Sequence, residues 1–164
     1  MVETKYDIKV ADETFIAVAL LHREQPERVD FTIGEIVERA EKENLFGRLR
    51  PGVRVHATLH CVANRPPNPG RYRMLYATGE HTRRLLCARD AVNPDRTGKT
   101  WPDPEDVPSS YHDLIDWAKQ RYGTTDATRE PWLNNLFQLF GLGKDAWKGE
   151  DPDEYVRKLR EGWE

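Results

Sequence analysis

His56 and His60 stand four residues apart with Cys61 beside the second, a spacing that could set two imidazoles on one helix face around a metal ion. The surrounding residues argue against that chemistry. No glutamate separates the histidines as in a metalloprotease helix, and no third ligand follows at a convincing spacing. Cys61 and Cys87 are too few and too poorly spaced for a zinc framework or a disulfide scaffold, and both read as small buried side chains. Neither a Walker loop nor a Gly-x-Ser-x-Gly elbow occurs. Asp103, Glu105 and Asp106 fall in a proline-rich stretch and read as solubilising. The sequence therefore predicts no catalytic residue, no metal and no cofactor.

Arginine is the chemistry-bearing residue. The formal charge of the 164-residue chain is only −3, but it averages unlike segments. Residues 1–45 hold eleven acids and six bases, whereas 46–89 hold nine arginines against a single acid, Glu80. A planar guanidinium pairs with phosphate or guanine in two-point fashion, which lysine cannot do. Such asymmetry points to a polyanion partner; the competing reading is a solvated surface whose arginines pair with acids elsewhere in the fold.

The elements that would position these arginines follow from periodicity and punctuation. A first helix is expected over Glu13–Arg23, capped by Asp12, with Phe15, Val18, Ala19 and His22 on one face. Phe31-Thr32-Ile33-Gly34-Glu35-Ile36 is a capping box, Thr32 at N-cap and Glu35 at N3, with Phe31 and Ile36 as a hydrophobic staple. Ile33, Ile36, Val37 and Ala40 continue that helix inward, and Glu38 can pair with Lys42. Pro51 opens a third helix reaching about Ala63, with Val55, Leu59, Val62 and Ala63 expected inward. Val53, Arg54, Ala57, His60 and Cys61 are expected outward, with His56 and Thr58 at the margins. After a loop rich in proline, Arg71–Thr78 and Thr82–Cys87 read as strands joined by a turn at Gly79. Residues 89–108 read as irregular, and Tyr111–Tyr122 as a helix with Leu114, Ile115 and Trp117 inward.

The last segment differs in character. Trp132–Phe140 is densely apolar, Gly141 and Gly143 break it, and Asp151-Pro152-Asp153-Glu154 is a strong helix start. Tyr155, Leu159 and Trp163 then recur every fourth residue, a stripe that must bury on the chain itself or on a partner. Two regions result: 1–123, and 124–164 as a linker with a helical tail. The longest apolar run, Phe15–Leu21, is shorter than the roughly 18–20 residues needed to cross a bilayer. No basic–apolar leader is visible at the start, so a cytoplasmic location is expected.

Three helices followed by a basic hairpin is the order of a winged helix-turn-helix, and the expected fold class is α+β. Phe31–Ala63 resembles the HARE-type helix-turn-helix and related prokaryotic winged-helix modules. The resemblance rests on Arg50-Pro51-Gly52-Val53-Arg54-Val55-His56 and on the stretch from Cys61-Val62-Ala63 through Pro66-Pro67-Asn68-Pro69-Gly70 to Arg71-Tyr72-Arg73. It implies that fold and double-stranded DNA as ligand. Gly141-Leu142-Gly143-Lys144 and Tyr155-Val156-Arg157-Lys158-Leu159-Arg160 resemble the toxin-binding tails of type II antitoxins.

These readings predict a DNA-binding regulator, or the antitoxin of a two-gene pair. The alternative is a non-catalytic recognition or protein-interaction module of a restriction or defence system. The expected DNA-contacting residues are Arg48, Arg50, Arg54, Thr58, His60, Arg71, Arg73, Arg83 and Arg84. The expected partner-binding residues are Tyr155, Arg157, Leu159, Arg160 and Trp163. The protein partners that this reading allows are a toxin held by the tail and a second copy of the chain; no membrane partner is expected.

Overall fold

Helix α1 (Val10–Glu24) is the element on which the others pack, and every residue from Ala11 to Ala19 is buried. A helix apolar nearly all round has no solvent face to offer. The computed structural model describes residues 6–123, and α1 lies at their centre. Its N-cap is Lys9 and not the expected Asp12, which falls inside the first turn together with Glu13. Both acids are buried, at 0% and 1% exposure, because partners distant in sequence reach them. The Lys99 ammonium stands 3.0 Å from Asp12 Oδ1 and 3.1 Å from Oδ2, donating a hydrogen bond to the latter only. Arg50 donates through Nε and Nη2 to Glu13 Oε2, at 2.9 and 2.5 Å, and Glu13 Oε1 has no hydrogen-bond partner among the described residues. The positive end of the helix dipole adds to the stabilisation of both carboxylates.

Strand β1 (Phe31–Thr32) runs into α2 (Ile33–Glu43), which begins as its sequence predicts. The Thr32 side chain accepts from Glu35 N, and the Glu35 carboxylate accepts from Thr32 N at 2.8 Å. Phe31 and Ile36 are both fully buried, as a staple requires. The ion pair along this helix is Arg39–Glu43, at 2.7 Å, with Arg39 also gripping Glu24 of α1; it replaces the expected Glu38–Lys42 pair. Asn44 ends the helix in the left-handed conformation, φ 52°, its N–H bonded to Ala40 O.

The third helix departs most from expectation. It is α3 (Gly52–Val55) continued by a π-helical turn, His56–His60, and it stops short of Ala63. Val53, Ala57 and Cys61, expected outward, are fully buried, whereas Val55, expected inward, is 41% exposed. Both sets recur every fourth residue, so spacing alone leaves the choice of face open, and packing against α1 and α2 selects the smaller side chains. Val62 and Ala63 are buried as expected, but beyond the helix end.

Strands β2 (Leu75–Ala77) and β3 (Thr82–Leu85) form the hairpin, both shorter than expected. β1 joins as a third antiparallel strand, giving the order β1-β3-β2, with Phe31 opposite Arg83 and Leu75 opposite Leu85. Two 3-10 turns, Pro104–Asp106 and Ser109–Tyr111, lead into α4 (His112–Tyr122). Leu114, Ile115 and Ala118 of α4 are buried, with Trp117 half-buried beside them. The fold is α+β, helices around a small antiparallel sheet. No helix among the described residues is long and apolar enough to cross a membrane.

Candidate nucleic-acid interface

The π-helical turn has a structural cost that two arginines meet. Bonding one residue further back than in an α-helix, Cys61 N to His56 O at 3.0 Å, leaves the Ala57, Thr58 and His60 carbonyls short of helical partners, while Leu59 O accepts from Val62 N at 3.2 Å. Arg83 donates to Ala57 O at 2.9 Å and Thr58 O at 3.3 Å. Arg96 donates to Leu59 O at 2.7 Å and His60 O at 2.9 Å. Each unpaired buried carbonyl would otherwise cost about 1–3 kcal/mol. The remaining donors of Arg83 meet Gly79 O, Glu80 O and Thr82 O of the hairpin. Those of Arg96 meet Arg65 O, Pro66 O and Tyr72 O. Arg83 is fully buried and Arg96 is 3% exposed, yet neither has a carboxylate partner among the described residues. Burial, helped by nearby Arg65, lowers the Arg83 pKa to about 10, so it stays charged at neutral pH.

Nine other arginines fall into two groups. Arg28, Arg39, Arg50 and Arg84 are neutralised by Glu35, by Glu24 and Glu43, by Glu13, and by Asp90. Arg50 also lies over the Phe46 ring at 4.0 Å, and Arg84 over Tyr76 at 4.4 Å. By contrast, Arg48, Arg54, Arg65, Arg71 and Arg73 have no ion pair among the described residues. Arg48 and Arg54 are exposed, Arg48 near the Phe46 ring at 6.0 Å. Among the described residues, the side chains of Arg65, Arg71 and Arg73 hydrogen-bond only to backbone carbonyls: Glu80 O at 3.5 Å, Asp95 O at 3.2 Å and Gly98 O at 2.7 Å.

The sequence-predicted DNA residues therefore separate. Arg48, Arg54, Arg71 and Arg73 present guanidiniums without carboxylate partners among the described residues, and Thr58 is half-exposed, its Oγ1 donating to Arg54 O at 2.7 Å. Arg50 is held by Glu13, Arg84 by Asp90, and Arg83 points inward, which takes it off the surface altogether. The carbonyls of the π-helical turn draw it in. His60 is half-buried, its ring edge-on to His56 at 4.8 Å, and Gly70 packs so closely that an added Cβ would come within 2.5 Å of the His60 Cβ. Arg65 and Arg96 are absent from the expected contact set. Arg96 lies in a stretch that reads as irregular, and no local spacing marks its role.

His56, His60 and Cys61 are brought together at the π-helical turn. His56 Nδ1 lies 3.3 Å from Cys61 Sγ. Burial first, then His60 and Arg50, pull the His56 pKa down to about 4. Burial pushes the Cys61 thiol well above its ordinary value. No group of three or more His, Cys, Asp or Glu side chains placed to hold a metal ion occurs among the described residues. The expected partner-binding residues Tyr155, Arg157, Leu159, Arg160 and Trp163 lie outside the described residues. No family model, curated protein or solved structure matches the chain.

Proposed function

We propose that this chain is a winged-helix protein that binds double-stranded DNA through α3, the π-helical turn and the arginines around them, and that it carries out no covalent chemistry. One observation carries the reading: Arg54, Arg65, Arg71 and Arg73 have no ion pair among the described residues, in a protein whose net charge is negative. Four other arginines of the same fold are each matched to a carboxylate. Guanidiniums without a carboxylate partner keep their full charge and are available to a polyanion. Three helices followed by a hairpin, in the element order α1-β1-α2-α3-β2-β3, support this reading. Arg54 and Thr58 then lie on the outer face of the helix that would enter the major groove.

Arg54→Ala is the test. It weakens duplex binding and relaxes preference at one base pair, by about 1–3 kcal/mol for a two-point contact. Unchanged affinity across a randomised-site selection would remove Arg54 from base recognition. A second reading, docking of a protein on the same face, is favoured by Val55, which is 41% exposed beside Arg54. Salt separates the two, since counterion release gives a steep dependence and an apolar contact gives little.

A further inference from the structure

Winged helices invite the assumption that the hairpin grips the DNA backbone, but the charges here are placed otherwise. The turn of the hairpin carries Glu80, and Asp30 joins it by accepting a 2.6 Å hydrogen bond from Thr78 Oγ1. Of the hairpin's two arginines, Arg83 is buried beneath the π-helical turn and Arg84 is fixed to Asp90 at 2.6 and 2.7 Å. From the unmatched pair just before β2, we infer that Arg71 and Arg73 are the phosphate grips on duplex DNA and that the hairpin arginines are not. This rests on the DNA-binding reading above and names the element that holds the backbone.

The segment bearing the two residues is fixed by bonds to residues 96–99. Gly98 N donates to Arg71 O at 2.8 Å, and Arg73 N donates to Lys99 O at 3.0 Å. Gly98 lies so close that an added Cβ would stand 2.5 Å from Arg71 O. Arg96 ties Tyr72 O, between the two arginines, to the carbonyl end of the π-helical turn. Each arginine uses only part of its fork on the protein. Arg71 donates through Nη1 to Asp95 O, and Arg73 through Nε to Gly98 O, so both guanidiniums sit against the same 95–98 segment. The other nitrogens have no hydrogen-bond partner among the described residues, and neither side chain has an ion pair there. A guanidinium held at one edge and open at the other is pre-set for a phosphate oxygen, with little side-chain entropy left to lose on binding.

The experiment measures the affinity of the full-length protein for a fluorescein-labelled random-sequence duplex over a salt series. The variants are Arg71→Gln/Arg73→Gln, Arg71→Lys/Arg73→Lys and Arg84→Gln/Asp90→Asn, the last leaving net charge unchanged. Each phosphate contact contributes about 0.9 to the slope of log affinity against log salt. The glutamine pair is expected to lose close to two units of slope, and the lysine pair to keep most of it. The Arg84/Asp90 pair should match the parent, with all variants melting as folded proteins. If the glutamine pair keeps the parent slope while the Arg84/Asp90 pair loses it, the hairpin is the grip and the inference fails, although DNA binding stands. A lysine pair that folds but loses as much slope as the glutamine pair also overturns it. A parent protein with no salt-dependent binding overturns the DNA reading itself.

Discussion

His22 should make this fold sensitive to mild acid. Its side chain is 3% exposed in the last turn of α1, edge-on to Phe31 at 4.9 Å and tilted against Tyr122 at 5.4 Å. Its Nε2 accepts a 3.3 Å hydrogen bond from Leu85 N, a role only the uncharged ring can fill. Burial first, then Arg121 and Arg84, lower its pKa from 6.5 to about 4, with Asp30 opposing. The unfolded chain therefore binds a proton at a pH where the folded chain does not. Stability from this group is complete above pH 6.5, falls as pH drops from there, and levels off below about 4. The full effect is about 3 kcal/mol, of which about 2 kcal/mol is lost between pH 7 and pH 5. His22→Gln keeps an acceptor for Leu85 N but does not titrate. Urea unfolding of the parent at pH 7 and pH 5 should show about 2 kcal/mol more loss than the same comparison for the variant. His56, also depressed, is present in both proteins and cancels. Equal losses in parent and variant would refute the reasoning, since the acid response would then come from some other group.

Further perturbations probe the other supports. Thr32→Ala removes the capping box and should lower unfolding free energy by about 1 kcal/mol at unchanged urea m-value; no measurable loss would mean that β1 pairing fixes this helix start by itself. Arg50→Met strands the buried Glu13 carboxylate and should cost about 3–5 kcal/mol, much of it regained in Glu13→Gln/Arg50→Met. A double variant no more stable than Arg50→Met alone would show that the loss is one of packing over Phe46. A chain ending at Gly123 should melt within about 10 °C of full-length protein, the larger shift being the mark of a tail that is part of the fold.

The parts of the fold legible in the sequence are those fixed by local chemistry. Thr32 and Glu35 lie three residues apart, so their reciprocal bonds are written in one short string. Phe31, Ile36 and Ala40 likewise declare their face. Asp12 shows the limit. Its sequence neighbours make it a cap, and only Lys99, 87 residues away, makes it a buried ion-pair partner inside the helix. The face of α3 was ambiguous because Val53-Ala57-Cys61 and Val55-Leu59 are both four-residue stripes. What decides between them is the room beside α1, which no periodicity contains. β1 leaves no mark in the sequence because two residues make no pattern. The candidate site was legible as a density of arginine between 46 and 89, but that density could not sort paired from unpaired side chains.

Arg83 and Arg96 show why the sorting matters for function and not only for packing. An arginine matched to a carboxylate, as Arg50 is to Glu13, contributes almost no net charge to its surroundings. An arginine held by carbonyls is satisfied in hydrogen bonding but keeps its charge, offset only by the partial negative charges of those carbonyls. Two such cations lie directly beneath the π-helical turn, in contact with the carbonyls of Ala57 through His60. Fields extend about 8–10 Å at physiological salt and are screened less through protein than through water. Both charges therefore add to the potential on the outer face where Arg54 and Thr58 stand, without being available to any counter-ion for direct contact. The proposed interface is thereby positive in two layers: exposed guanidiniums that a phosphate can touch, and buried ones that it can only feel.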